Sequence, residues 1–332
     1  MIRLKLKGSY YEIGLSIGRK CRKQVPSHYS KECTKEKLDF AYDCQDIVKK
    51  YCPELLEELQ GIADAGNFNY ENLLSSELAA GLYSNCTLLA ISGEHTKSGH
   101  PIFARSMDWL QYAMKFASIS MTRPKGKLAS LGFSETFLGR AGGINEAGLA
   151  IGESSTCWEN LQPGIISGVA IRWILDNCKT SHDAVEFLTR IRFIMGNNYL
   201  IADKQGDFGF VQAHPSKAIG TIERPDFLFA TNHYFSPEFD KITPKKPKHS
   251  TDRIEYLNSW FSKRTEPVSL EDVMILQRTH DVELCPHVQE EYEGKPRDLT
   301  TCWAWTAALG TNEVYLCEGS PCKNQHQRLV LS

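Results

Sequence analysis

The sequence carries almost no net charge: 38 Lys and Arg stand against 40 Asp and Glu, for a formal balance of -2. That excludes the strongly basic footprint of a nucleic-acid binder. It has no apolar run approaching the length of a membrane span, no internal repeat and no low-complexity tract. The first residues, Met1-Ile2-Arg3-Leu4-Lys5-Leu6-Lys7, alternate charge with short apolar side chains. They contain no apolar core of the kind a secretory signal needs, so a cytoplasmic location is the expectation. The 11 cysteines include no Cys-x-x-Cys pair, and without a secretory signal they read as mostly reduced, buried thiols. What is present is ordinary for a soluble globular protein: 332 residues, 42% hydrophobic and 23% charged. That is enough chain for one large domain or two small ones with a sizeable core.

Residues 1–85 read as helical. One helix starts at Tyr10-Tyr11-Glu12-Ile13-Gly14. A second spans Glu36 to Tyr51, with Leu38, Ala41, Tyr42 and Val48 at helical spacing. A third opens on Pro53, a residue suited to a first helical turn. After residue 85 the period changes from helical to two. Strands are expected over 86–92, 101–109, 116–122, 127–133 and 150–154. Helices follow over 167–177 and from Thr180, where Thr180 and Asp183 stand at capping-box spacing. Strands at 199–202 and 208–211 flank Asp203-Lys204-Gln205-Gly206-Asp207, a hairpin signal. Helices near 251–262 and 269–279, the second capped by Ser269 with Asp272, precede strands at 302–309 and 313–317. This order favours α+β, with antiparallel sheets covered by helices, over a doubly wound parallel sheet.

Cys86 stands where the helical part gives way to the strand Cys86-Thr87-Leu88-Leu89-Ala90-Ile91-Ser92. The next strand carries Arg105, Ser106, Met107 and Asp108. A hairpin turning between Lys97 and Ser98 sets Cys86 opposite Trp109, and a residue or two of slip sets Asp108 beside it. A guanidinium near a thiol favours the reactive thiolate. Asp can fix that Arg or orient an amine. If the Asn85–Cys86 peptide were cut, Cys86 would also hold a free α-amine of ordinary pKa about 7.7–8.0, a usable general base. The alternative is a buried cysteine on a core strand.

These residues resemble a family. Cys86-Thr87, then Gly99 with Arg105-Ser106-Met107-Asp108, then Gly143-Ile144-Asn145-Glu146-Ala147-Gly148-Leu149 look like the choloylglycine hydrolase and penicillin acyltransferase group of N-terminal-nucleophile hydrolases. Gly8-Ser9-Tyr10-Tyr11-Glu12-Ile13-Gly14 with Gly18, and the stretch from Pro53 to Ala63, resemble the propeptide of the isopenicillin N acyltransferase-like family, peptidase family C45. Ala230-Thr231-Asn232-His233-Tyr234 and Gly319-Ser320-Pro321-Cys322 are similar to two later segments of that family.

The resemblance implies an αββα sandwich of two antiparallel sheets between helical layers, with residues 1–85 as propeptide, residues 86–332 as catalytic chain, and the two packed as one unit. Cys86 would be the nucleophile, freed by self-cleavage of Asn85–Cys86. Asp108 would hold its amine or the arginine network, Asn232 would donate to an oxyanion hole, and Arg105 would tune the thiol and neutralise developing charge. Thr87 and Ser106 would add hydrogen bonds. The implied reaction is hydrolysis or acyl transfer at a carbon–nitrogen amide bond of a small N-acyl amine, amino acid or peptide-like substrate, through a thioester on Cys86. An acyl-CoA donor is a further option. No metal or organic cofactor, nucleic acid or membrane is implied, and an oligomer is left open. An uncleaved cysteine hydrolase and a non-catalytic binding protein on the same fold are the alternatives.

The chain also departs from the family pattern. Residue 85 is Asn where a small Gly is common, and Gly152-Glu153-Ser154-Ser155 stands where bile-salt hydrolases carry an Asn. For the distal arginine of relatives, Arg297 is the nearest candidate. His233 is either the base of an uncleaved Cys-His enzyme or a packed strand-end residue. Cys285-Pro286-His287 with Cys302 offers metal-ligating types in a spacing that matches no common zinc pattern. Asn145 reads as a turn residue, Trp109, Phe133, Phe137 and Trp158 as core or acyl-pocket lining, and the basic run Pro244 to His249 as a solvated loop or an acidic-substrate clamp.

Overall fold

Strand and helix periods divide the chain into two sheets and two helical layers. The computed structural model describes residues 1–22, 33–79, 84–157, 159–243, 245–292, 295–311 and 313–330. One sheet has eight strands, in the order β1 (Ile2–Gly8), β4 (Ser118–Pro124), β5 (Ser130–Ser134), β6 (Gly142–Asn145), β7 (Ala150–Cys157), β8 (Gly196–Ala202), β9 (Phe208–His214) and β10 (Lys217–Glu223). The other has seven: β11 (Phe227–Ala230), β2 (Asn85–Ile91), β3 (Ile102–Leu110), β13 (Lys295–Ala308), β14 (Glu313–Glu318) and β15 (Gln327–Val330), with β12 (His287–Tyr292) also paired to β13.

Helices α1 (Tyr10–Cys21), α2 (Lys35–Tyr51), α3 (Pro53–Gly66), α4 (Tyr70–Leu78), α5 (Ser167–Asn177) and α6 (Ser181–Arg190) share one apolar core with the outer face of the first sheet. A second core lies between the sheets, where Phe103, Phe133, Trp303 and Trp305 stack. A third joins the second sheet to α7 (Lys248–Ser262) and α8 (Leu270–Leu276). Three cores between four layers make the expected αββα sandwich. Among the described residues no helix is long and apolar enough to cross a membrane.

Local chemistry places many boundaries where the sequence sets them. The Thr180–Asp183 and Ser269–Asp272 capping boxes both form. The Asp203–Asp207 hairpin closes with Gly206 at φ +86. Three expectations need correction. Residues 1–85 are not all helical, because Ile2–Gly8 is a strand. Its period-two pattern buries Leu4 and Leu6 and turns Lys5 and Lys7 outward. That strand runs parallel to β4, so the first sheet is not purely antiparallel. In the β2–β3 hairpin, Cys86 faces Met107 and Asn85 faces Asp108, two positions from the expected Trp109 partner. The connection holds a 3-10 turn over Gly93–His95, and Thr96 accepts from the Gly99 amide, which moves the centre of the hairpin toward the start of the loop.

Candidate active site

Alternation along β2 sends Cys86, Leu88 and Ala90 into the core between the sheets, and Leu89 and Ile91 into the α7–α8 core. Cys86 is completely buried. Its sulfur lies 3.2 Å from Arg105 Nη2, 3.3 Å from Ser84 Oγ and 3.7 Å from Met107 Sδ. The same Arg105 nitrogen donates to Glu153 Oε1 at 2.9 Å, and Nη1 donates to the Ala141 carbonyl. Burial pushes the Cys86 thiol up to about 11, partly offset by Arg105. The opposing charges raise Arg105 against its own burial, which holds it protonated.

The backbone of Cys86 is held from the other side. Its amide N–H donates to Asn232 Oδ1 at 2.8 Å. Asn232 Nδ2 donates to the carbonyls of Ser84 at 2.7 Å and Ser155 at 2.8 Å. Asn232 follows β11, and its neighbour Thr231 is anchored by Ser154 Oγ and Asn198 Nδ2, both donating to the Thr231 carbonyl.

Arg253 of α7 completes this side. Nη1 donates to the Cys86 carbonyl and to Thr87 Oγ1, each at 2.9 Å, and Nη2 donates to Asn232 Oδ1 at 3.0 Å. Asp108 lies on this side too. Its Oδ1 accepts from Thr301 Oγ1 at 2.6 Å, and its Oδ2 has no hydrogen bond and stands 4.0 Å from Arg253 Nη1. Burial pushes Asp108 up to about 7 although Arg253 and Thr301 pull it down.

The expected residues Cys86, Arg105, Asp108, Asn232 and Thr87 therefore converge, with the thiol on one face of the hairpin and Asp108 on the other. Ser106 lies opposite Thr87 and lines a small cavity under α7 and α8, away from the thiol. Arg297 is not in the site: it is exposed on the β12–β13 hairpin, opposite Glu290. Arg253, not Arg297, is the distant arginine that contacts Cys86 and Asn232, and sequence reasoning missed it. Its signal is an arginine within the buried stripe Ser250, Arg253, Leu257 of an otherwise polar helix. His233 bonds Ser250 Oγ through Nδ1 at 2.8 Å, and burial drops it to about 4, so it is a packed neutral ring rather than a partner of Cys86.

A cleft of about 580 Å³, open mouth included, reaches Ser84 and Met107, which touch the Cys86 sulfur, and is lined also by Trp109, Glu135, Arg140 and Glu153 among others. Phe133 stacks in the core and Phe137 stacks on Phe68, so of the named aromatics Trp109 lines the cleft and Trp158 falls outside the described residues. Asn145 closes its turn by accepting from Ala147 and Leu149 and donating to Leu175 and Cys178. Lys245, Lys246 and Lys248 are exposed, and Pro244 falls outside the described residues.

No curated protein sequence matches the chain. Among solved structures, a variant of conjugated bile acid hydrolase from Clostridium perfringens is 13% identical, with a TM-score of 0.49 over 74% of this chain and 97% of that one. Penicillin V acylase from Agrobacterium tumefaciens is 17% identical, with a TM-score of 0.44 over 70% and 82%. The N-acylethanolamine-hydrolyzing acid amidase ortholog of Caenorhabditis elegans is 14% identical, with a TM-score of 0.48 over 67% and 92%. The family model for acyl-coenzyme A:6-aminopenicillanic acid acyl-transferase matches residues 95–323, a span that begins after Cys86. The chain belongs to this acyl-transferase family and is an enzyme of the amide-bond hydrolase and acyltransferase kind.

Proposed function

We propose that the chain is a self-processing cysteine N-terminal-nucleophile enzyme that cleaves or forms the amide bond of a small N-acyl amine, amino acid or peptide-like substrate through a thioester on Cys86. The observation that carries this reading is the grip on one residue from two sides: Arg105 at 3.2 Å from its sulfur and Asn232 at 2.8 Å from its amide nitrogen. In the first step the Cys86 sulfur attacks the Asn85 carbonyl carbon. The carbon–sulfur bond forms, the carbon–nitrogen bond breaks, and the nitrogen leaves protonated as the α-amine. Water then hydrolyses the thioester and releases the Asn85 carboxylate. The cut bond follows Asn85, the strand partner of Asp108, and Asp108 keeps one buried carboxylate oxygen without a hydrogen bond. Departure of the chain end at 84–85 removes the Ser84 carbonyl from Asn232 Nδ2. That frees an amide N–H for the oxyanion of a substrate, a contribution worth about 3–4 kcal/mol.

In turnover the amine of Cys86 takes the thiol proton and returns it to the leaving nitrogen. Arg105 stabilises the thiolate. Water or an amine resolves the thioester, which is the whole difference between hydrolase and transferase. Glu77, Glu135, Glu153 and Arg140 line the cleft beside Cys86, and Glu153 is paired with Arg105 at 2.9 Å. The test is the mass of the denatured protein, with and without a panel of N-acyl amines. Fragments 1–85 and 86–332, loss of both cleavage and thiol acylation in Cys86→Ala, and an acyl adduct on Cys86 are expected. A single full-length species after long incubation would overturn self-processing, and acylation at another residue would overturn the nucleophile.

A further inference from the structure

The Cys285–His287 pair was set aside in the sequence for want of a zinc-like spacing with Cys302. In the structure the Cys302 sulfur approaches the Leu110 and Thr300 carbonyls, within the core between the sheets. Cys285 and His287 instead meet two side chains from other segments. His280, Cys285, His287 and Cys322 each present one ligand atom, and all four atoms lie within 4.8 Å of one another. His287 Nε2 is 3.1 Å from the Cys322 sulfur and 3.9 Å from the Cys285 sulfur. A tetrahedral zinc ion with bonds of about 2.0–2.3 Å sets its ligand atoms roughly 3.3–3.8 Å apart. The four atoms need to close by less than about 1.5 Å to match it.

We propose that these four residues form a structural zinc site of Cys2His2 type. Two thiolates and two neutral imidazoles around a divalent ion sum to no charge, and the mixed sulfur and nitrogen set selects zinc over magnesium or calcium. Four protein ligands leave no open position, so the ion staples rather than catalyses.

The backbone prepares each ligand. Cys285 and His287 are two apart at the entry to β12, the spacing that puts both side chains on one face. The preceding loop is curled by the Cys285 amide donating to the Thr279 carbonyl and the Glu283 amide donating to the His280 carbonyl, with Glu283 at φ 57. That curl brings His280 back beside Cys285. Cys322 stands in the turn after β14, where the Lys323 and Asn324 amides donate to the Ser320 carbonyl. The ion would join the α8–β12 loop to the turn after β14, two segments linked across β13. His287 pairs with Thr300 of β13, next to Thr301, which donates to Asp108, so the staple lies close behind the hairpin that carries Cys86.

This inference is independent of the reaction and is tested without it. Untagged wild-type protein, purified without chelator, is expected to hold about one zinc per chain by elemental analysis. Chelator-stripped protein titrated with cobalt(II) is expected to show tetrahedral and thiolate-to-cobalt absorption bands. Cys322→Ser and His287→Ala are expected to lose at least ten-fold in zinc content, whereas Cys33→Ser, at the entry to α2, keeps it. Chelator should lower the melting temperature of wild type but not of Cys322→Ser. Wild type without zinc and without cobalt bands would overturn the site, whatever the variants do. So would a Cys285–Cys322 disulfide found by non-reducing peptide mapping of protein from a reducing cytosol.

Discussion

Two buried arginines meet Cys86 from opposite faces of one hairpin, and their contacts differ. Arg105 faces the sulfur and is neutralised by Glu153. Arg253 binds the Cys86 carbonyl, Thr87 and the Asn232 oxygen. Removing Arg253 takes one of two donors from Asn232 Oδ1 and withdraws a charged donor from the buried Cys86 carbonyl and Thr87 hydroxyl. Arg253→Lys is therefore expected to lower both processing and kcat/KM by roughly 10²-fold, while Arg297→Ala changes each by less than about two-fold. A comparable loss in Arg297→Ala would contradict the placement. Asp108 makes a second, pH-dependent test. Its folded value, about 7, lies above the ordinary 3.8, so the fold favours the protonated carboxyl. The stability this supplies is complete below the ordinary value and is lost as pH rises toward 7. Melting curves from pH 4 to 8 should show Asp108→Asn gaining on wild type across that window, while processing stops. A variant that gains nothing would mean Asp108 is ionised without penalty. Cys86, Arg105, Asp108 and Asn232 were legible because three share one hairpin and the fourth stands in a short motif. Arg253 was not, because it arrives from a helix whose docking no local pattern specifies.

At the scale of elements, the backbones of α1 and α3 approach closely, and glycine makes it possible. A Cβ at Gly14 would stand 2.0 Å from the Glu58 carbonyl oxygen, and one at Gly61 would stand 2.3 Å from that of Tyr11. Both obstacles are backbone, so they cannot move aside by a rotamer change. Gly14→Ala, introduced into Cys86→Ala protein to keep the chain whole, is expected to cost about 1–3 kcal/mol. Glu57→Ala, on the exposed face of α3, should stay within about 0.5 kcal/mol. Thermal melts compare the two, and equal melts would mean the helices are not held that close. The glycine-bearing stretches that suggested a propeptide thus have a packing reason. Helix α5 was legible to the residue, Ser167–Asn177, and the two capping boxes fixed their helix starts. Strand β1 was not, although Ile2, Leu4 and Leu6 alternate with Arg3, Lys5 and Lys7. A short alternating run gains a strand identity only when a neighbour such as β4 pairs with it. The same holds for the metal group: His280, Cys285, His287 and Cys322 come together through the hairpin and turn that follow α8, not through their spacing.

For the molecule as a whole, residues 1–85 and 86–332 are bound by more than one peptide bond. Strand β1 pairs with β4 from Ile2 to Gly8, and α1, α3 and α4 share an apolar core with α5 and α6. A buried charge network crosses the same boundary. Arg172 of α5 donates to Glu58 of α3 at 2.8 Å and to Asp176 at 2.9 Å, and Tyr10 of α1 donates to Asp176 at 3.0 Å. Glu58, Arg172 and Asp176 are fully or almost fully buried. Cutting at Asn85 leaves every one of these contacts in place, so the two fragments are expected to co-elute on native gel filtration and to separate only in denaturant. The network supplies a way to loosen them without touching the active site. Glu58→Ala strips the Arg172 guanidinium of one of its two carboxylates inside a dry core, a change that costs about 3–5 kcal/mol. In processed protein the 1–85 fragment of Glu58→Ala should therefore dissociate at clearly lower urea than the wild-type fragment, read by gel filtration across a urea series. Cleavage itself should persist where the variant folds, because Cys86, Arg105 and Asn232 keep their contacts. Fragments that part at the same urea concentration in both proteins would show that the apolar core and β1 alone carry the association.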